Sequence, residues 1–401
     1  MSVAVSPVES RCDRRAFVNL PFRLHATEPQ WIPPLKLERH LFLSRRVNAY
    51  FKHAEAQLFL ARRDGRVVGR ISAQIDHAFN AHHGNRWGMF GFLEFENDQE
   101  ILDALLATAE DWLKARGRDR MVGPMDFAMN DESGVIVEGG DREPLIRQPW
   151  QPPYYLERSE QAGLEKAVDL LMWELYVGDR SKMLPVIGDL AQTAQTDHGI
   201  RIRHMTRRSL RRDLDVFGEI YNEAWKRNWG FVPYSKRDLD AYAQELQLVF
   251  DPAWFMVAER ESDGKPVGIA ITIPDINQVL QRMNGRLLPL GWLAFLRRRR
   301  IMDRLRVGFL GVLPEFQHAG VAALLYVAHF DMAAVHRISG GEMGWILETN
   351  TAMNRGMEAM GGRVVKRYRV FERRFEADAE PAWPRDAKVW KPRRTDHSTQ
   401  G

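Results

Sequence analysis

The chain has 401 residues, 45% hydrophobic and 27% charged, which is enough apolar material for two domains and excludes a chain disordered over most of its length. The formal net charge is +4, so charge alone does not choose between nucleic acid, an anionic cofactor and an anionic membrane as partner. The single cysteine, Cys12, excludes an internal disulfide and fits a reducing cytoplasm, while the first 20 residues lack the apolar core of a secretion signal and no stretch reaches the roughly 18 apolar residues of a membrane span.

In chain order, residues 57–75 predict a hairpin turning at Asp64-Gly65. A strand follows over 86–95. An amphipathic helix follows over 98–116, with Ile101, Leu102, Leu105, Leu106, Ala109, Trp112 and Leu113 on one face and Gly117 ending it. Residues 120–123 open another strand and lead into a polar loop, 123–134, in which Asn130 and Glu132 are candidate substrate-binding residues. Residues 167–176 read as a closing strand, 178–197 as a joint, and 200–204 as a new opening strand. The segment 225–234 supplies two more substrate-binding candidates, Asn228 and Trp229.

A second hairpin over 254–273 repeats the layout of the first, about 200 residues later, which points to two copies of one domain. An insert over 274–304 comes next. After it the pattern is again strand (306–312), buried helix (319–336) and strand (342–348). In each half the strand–helix–strand order predicts a parallel pair. Residues 377–401, rich in Pro, Lys and Arg, are expected to be disordered.

Between strand and helix of the second half lies Gly311-Val-Leu-Pro-Glu-Phe-Gln317-His-Ala-Gly320-Val-Ala322. Gly320 allows a tight turn and close backbone approach, and the amides that open the following helix can hold a pyrophosphate. The pattern Gln-x-x-Gly-x-Ala in this setting, with an Asn-led helix at Asn350 downstream, resembles the GNAT superfamily of N-acetyltransferases. The resemblance implies an α/β fold of two tandem GNAT-like (acyl-CoA N-acyltransferase) domains, each a mixed central sheet flanked by helices. Residues 1–180 would be a degenerate copy, because Glu96, Asp98 and Glu100 replace the cradle with repelling charge, and 198–376 the catalytic one.

The resemblance also implies acyl-CoA as co-substrate, with no permanently bound cofactor. The cradle would be Gln317, His318, Ala319, Gly320, Val321 and Ala322, pantetheine would pair with the backbone of Leu310, Gly311 and Val312, and Asn350 and Asn354 would flank the ligand. Family members commonly carry a Tyr as general acid seven residues after the Asn. Met357 stands there instead, so the leaving thiolate needs another acid or leaves unaided. Glu348 is the first candidate base, with Glu315 and His318 as alternatives.

The insert carries Leu287 to Leu296, then Arg297 to Arg300. It reads either as an element lying at an anionic inner-membrane surface, with Trp292 contacting a lipidic acceptor, or as a helix packed on the core or a partner. The whole arrangement is similar to a group of bacterial N-acyltransferases that includes the bacterial ceramide synthases, which acylate a sphingoid base. Two alternatives remain: an aminoacyl transferase of the peptidoglycan-bridge type, and a non-catalytic acyl-CoA or lipid-binding protein. His77, His82 and His83 lack the partners of a metal site, so no metal is expected, and no recognisable nucleic-acid motif accompanies the basic tail.

Overall fold

The computed structural model describes residues 2–176, 180–226, 228–376, 379–384 and 387–392, apart from the side chains of 244–249. The first half contains β1 (Ala4–Pro7), α1 (Arg11–Leu24), α2 (Lys36–Phe42), β2 (Ala54–Arg63), β3 (Arg66–Asp76), α3 (His77–His83), β4 (Trp87–Phe95), α4 (Gln99–Lys114), β5 (Arg120–Gly123), β6 (Val135–Glu138), α5 (Tyr154–Gln161) and β7 (Glu165–Leu175). The second contains α6 (Pro185–Thr196), β8 (Ile200–His204), α7 (Leu210–Ala224), α8 (Lys236–Val249), β9 (Phe255–Arg260), β10 (Pro266–Pro274), α9 (Asn277–Met283), α10 (Gly291–Leu296), α11 (Arg298–Ile301), β11 (Arg304–Val312), α12 (Val321–Val335), β12 (Gly340–Leu347), α13 (Thr351–Ala359) and β13 (Arg363–Arg374).

Local chemistry accounts for most of these elements. Asp64 and Gly65 both take positive φ, 53° and 77°, as the tight turn between β2 and β3 requires. Helix α4 starts where Asp98 accepts the Glu100 amide, and it buries Ile101, Leu102, Leu105 and Leu106 completely. Each such residue contributes about 1.5–3 kcal/mol of burial. The two β–α–β units pair as predicted: β4 runs parallel to β5 and β11 parallel to β12.

The strands form one thirteen-stranded sheet in the order β1-β2-β3-β4-β5-β13-β7-β12-β11-β10-β9-β8, with β6 attached to β13. The closing strand of each half has crossed over. β7 pairs with β12 of the second half, and β13 pairs with β5 of the first. A cut between 180 and 198 therefore divides the sequence repeat but not the sheet. Buried ion pairs stitch the crossing: Lys366 contacts Glu342 at 2.5 Å and Gln148 at 3.1 Å, and Arg120 contacts Glu372 at 3.2 Å.

The tail needs a correction. Residues 377–378, 385–386 and 393–401 lie outside the described residues, but 379–384 and 387–392 are ordered against the sheet. Ala382 and Trp390 are buried, the Trp390 amide donates to the Glu348 carbonyl at 2.8 Å, and the Trp390 ring meets Trp173 edge-on. Two apolar anchors among the charges suffice to hold the segment down.

Candidate active site

Strand alternation sorts the second half into two faces. Met256, Ala258, Ala270, Leu310 and Val312 pack with residues of α6 and α12, whereas Phe255, Val257, Ile269, Ile271 and Phe309 pack with α7 and α8. The parallel pairing of β11 with β12 stops at Val307–Met343. Beyond it the strands diverge, and β12 resumes pairing with β7 at Ile346. The gap is flanked by Gly308 and Gly344.

On the α12 face lies the turn 314–320. Gly320 is the N-cap of α12, with φ 71°, and no side chain caps the helix. The amides of Val321, Ala322 and Ala323 thus have no intrahelical carbonyl partner. The equivalent helix of the first half, α4, is self-capped by Asp98. Glu96, Asp98 and Glu100 there are paired with Arg23, Arg63 and Arg66. Gly320 has a second duty: a Cβ there would lie 2.1 Å from the Leu190 carbonyl of α6, so a glycine is needed for α6 to seat against α12. Gln317 and His318 are exposed, Ala319 and Val321 are buried, and Ala322 is half-buried. Leu310, Gly311 and Val312 pair with β10 on one side only. A Cβ on Gly311 would lie 2.2 Å from the Trp225 ring.

On the α7 face lies a cleft of about 100 Å³ that both halves wall. Asn130 lines it and donates to the hydroxyls of Tyr221 (3.0 Å) and Tyr234 (3.2 Å); Asn228 and Trp229 line it too. At its base stands Arg306, 5% exposed. Its guanidinium donates to the carbonyls of Ile146 and Gly344 (3.3 Å for the second) and lies 5.0 Å from the Trp345 ring centroid. Among the described residues, Arg306 Nε and Trp345 Nε1 are buried donors with no acceptor. Burial and the nearby Arg147 charge push the Arg306 pKa down to about 10. Arg147 also lines the cleft and pairs with Asp131 at 3.3 Å.

Several expected site residues lie elsewhere. Glu348 points away from the cleft; it is buried, pairs with Lys166 at 2.8 Å and accepts the Asp169 amide at 3.0 Å. Leu347, its neighbour on the strand, faces the cleft instead, as the pleat dictates. Glu315 is a surface carboxylate held below its ordinary pKa by its own backbone amide and by Lys265, 3.2 Å away. Glu132 does not line the cleft and contacts Arg39 at 3.4 Å; burial raises its pKa. Asn350 caps α13 by accepting the Met353 amide. Asn354 is buried between the Leu347 carbonyl and Trp173 Nε1. Met357 is wholly core. Trp292 sits on α10, half-exposed, its Nε1 donating to the Pro289 carbonyl.

Arg306, Arg147, Tyr221, Tyr234 and Trp345 were not singled out from the sequence as site residues. The available signal was Arg306 itself, a cation between Leu305 and Val307 in a buried strand.

No protein-family model matches the chain. It is 36% identical over 380 residues to the bacterial ceramide synthase of Caulobacter vibrioides, covering 92% of this chain and 97% of that one. It is 34% identical over 369 residues to protein YghO of Escherichia coli, covering 90% and 93%. Among solved structures, a tandem GNAT protein from the clavulanic acid biosynthesis pathway superimposes with a TM-score of 0.57 at 14% identity, over 96% of this chain and 100% of the other. A GCN5-related N-acetyltransferase from Sphaerobacter thermophilus gives 0.54 at 12%, over 95% and 98%. The chain therefore belongs to the family of the bacterial ceramide synthase, N-acyltransferases built on a tandem GNAT fold.

Proposed function

We propose that this protein transfers a fatty acyl group from acyl-CoA to the amine of a sphingoid base, giving a ceramide. The observation that carries the reading is a cleft walled by both halves that reaches the strand gap at Gly308 and Gly344, on the same strand, β11, that leads to the uncapped start of α12. The name of the Caulobacter relative supports the ceramide product.

In this reading the pyrophosphate rests on the first amides of α12, and pantetheine follows the open edge of Leu310, Gly311 and Val312. The thioester carbonyl then reaches the gap beside Arg306. Attack by the amine forms the N–C bond, Arg306 Nε stabilises the tetrahedral oxyanion, and the C–S bond breaks. The thiol's pKa, about 8.5 for an ordinary thiol, makes an unaided thiolate departure feasible, which suits a chain with Met357 in place of the acid. No carboxylate is among the described residues that line the cleft, whereas two arginines do. Their charge disfavours an ammonium, so the amine enters neutral and its proton goes to solvent.

The insert supports a membrane-borne substrate. Helix α9 is anchored by Val279 and Met283, but α10 and α11 bury no residue. Leu288, Leu290 and Leu296 are 71%, 69% and 64% exposed beside Arg297 to Arg300. The adjoining α2, tied to the insert by the Lys36 amide on the Gly285 carbonyl, exposes Leu37 and Leu41. Apolar side chains flanked by cations suit an anionic bilayer surface. Among the described residues no helix is long and apolar enough to cross a membrane, so the contact would be peripheral.

The test is incubation of the purified protein with long-chain acyl-CoA and sphinganine, following free thiol and amide by mass. Stoichiometric appearance of both is expected; acyl-CoA binding without thiol release from any amine would exclude the transferase reading.

A further inference from the structure

Helix α1 opens with Arg11, Arg14 and Arg15, and α2 sets Lys36 and His40 on one stripe and Leu37 and Leu41 on the next, each pair at i, i+4 spacing. The fold brings these cations to the root of the insert. Arg14 donates to the His40 carbonyl at 2.8 Å. Lys36 Nζ donates to Asn19 Oδ1 at 2.7 Å and stands 4.3 Å from the Phe22 ring centroid. The turn after α9 sits against the same ring: a Cβ on Gly285 would lie 2.4 Å from Phe22 Cε1, so a glycine lets the insert seat on α1. Arg286 follows directly. Burial, then the charges of Arg286 and Arg15, hold the Lys36 pKa below its ordinary value; burial, Arg14, Arg15 and Lys36 do the same to His40. Arg15 and Arg286 are exposed, and among the described residues neither is ion-paired.

Like charges gathered from both halves repel one another, and an anion among them relieves the repulsion. The rim of this cluster is apolar. Leu37, Leu41 and Val47 are exposed on one side, and Leu287, Leu288 and Leu290 on the other. Such a rim adds nothing for a free phosphate, but it suits a phosphate that carries acyl chains. We propose that Arg15, Lys36 and Arg286 hold the phosphate of an anionic lipid headgroup, so that α1 and α2 of the first half form the bilayer-facing surface together with the insert. The proposal rests on the peripheral-membrane reading and extends it to the half that lacks a cradle. The surface also shares its supports with the cleft. On α2, Arg39 contacts Glu132 at 3.4 Å and Phe42 packs on Phe127, both in the loop that carries Asn130 to the cleft wall. At the root of the insert, Asn277 Nδ2 donates to the Pro144 carbonyl at 2.9 Å and Asp275 accepts the Ile146 amide at 3.0 Å, beside the wall residues Ile146 and Arg147.

Co-sedimentation of the full chain with phosphatidylglycerol vesicles, beside phosphatidylcholine vesicles as the neutral control, tests the site. Arg15→Gln with Arg286→Gln should weaken binding to the anionic vesicles about thirtyfold, the loss of two cations near an anionic surface. Leu37→Gln with Leu41→Gln should weaken it about tenfold through lost apolar insertion. All four side chains are exposed, so melting midpoints and vesicle-free thiol release from a short acyl-CoA should match the parent. Either double variant binding anionic vesicles as the parent does overturns the headgroup site. That result, with binding lost when Arg297 to Arg300 become Gln, would confine the contact to α10 and α11 and leave the peripheral reading standing. A parent with no preference for the anionic vesicles sinks both.

Discussion

At the scale of single residues, the proposed chemistry rests on Arg306. A buried guanidinium that satisfies two carbonyls and keeps Nε unspent is expensive unless a substrate oxygen completes it. Arg306→Gln should lower kcat about a hundredfold with little change in KM for acyl-CoA, as loss of an oxyanion donor does. A fall confined to KM would assign it to binding instead. Asp275 tests the cleft's support. It is buried, accepts the Ile146 amide at 3.0 Å and lies 3.2 Å from Arg304. Burial raises its pKa from 3.8 to about 6, against the opposing pull of Arg304. A carboxyl that holds its proton better when folded costs stability in full above pH 6; the cost shrinks as pH falls from 6 towards 3.8. The stability difference between Asp275→Asn and the parent should therefore vary with pH between those values and level off above them, read from urea midpoints. A pH-independent difference would show that Asp275 does not titrate in that range.

At the scale of elements, both hairpins, both β–α–β units and the glycine-led start of α12 were legible, because Asp64-Gly65, the helical period of 101–113 and Gly320 each act locally. The surroundings of the candidate base were not. Glu348 stands at the end of the right strand, but the pleat turns it to Lys166, a contact 182 residues away in sequence. Strand β13 was invisible for a related reason. Its Arg363, Lys366, Arg367 and Arg369 look like a solvated run, yet Arg363, Arg367 and Arg369 find Glu174, Glu138 and Asp169 of the first half, and Lys366 finds Glu342 two strands away. The insert gives a prediction at this scale. Replacing Arg297 to Arg300 with Gln removes four cations worth about 1 kcal/mol each near an anionic surface. Co-sedimentation with phosphatidylglycerol vesicles should fall steeply and binding to neutral vesicles little. Unchanged sedimentation with the anionic vesicles would place α10 and α11 in a protein contact.

At the scale of the whole molecule, the exchange of β7 and β13 makes the halves mutually dependent. Each half expressed alone would expose the edges of β5 or β12, together with the buried charges of Arg120 or Glu342. Fragments cut within 177–179 should be insoluble singly and should recover a folded complex when co-expressed, judged by size-exclusion and melting. Two fragments that fold separately and fail to associate would contradict this coupling.

The same crossing gives the first half a structural duty independent of any chemistry of its own. Joining end to end the two chains of a symmetric dimer that had traded their last strands would give this strand order. The first half supplies β7, which pairs with β12 beside the gap, while its own helix start is capped by the carboxylate of Asp98.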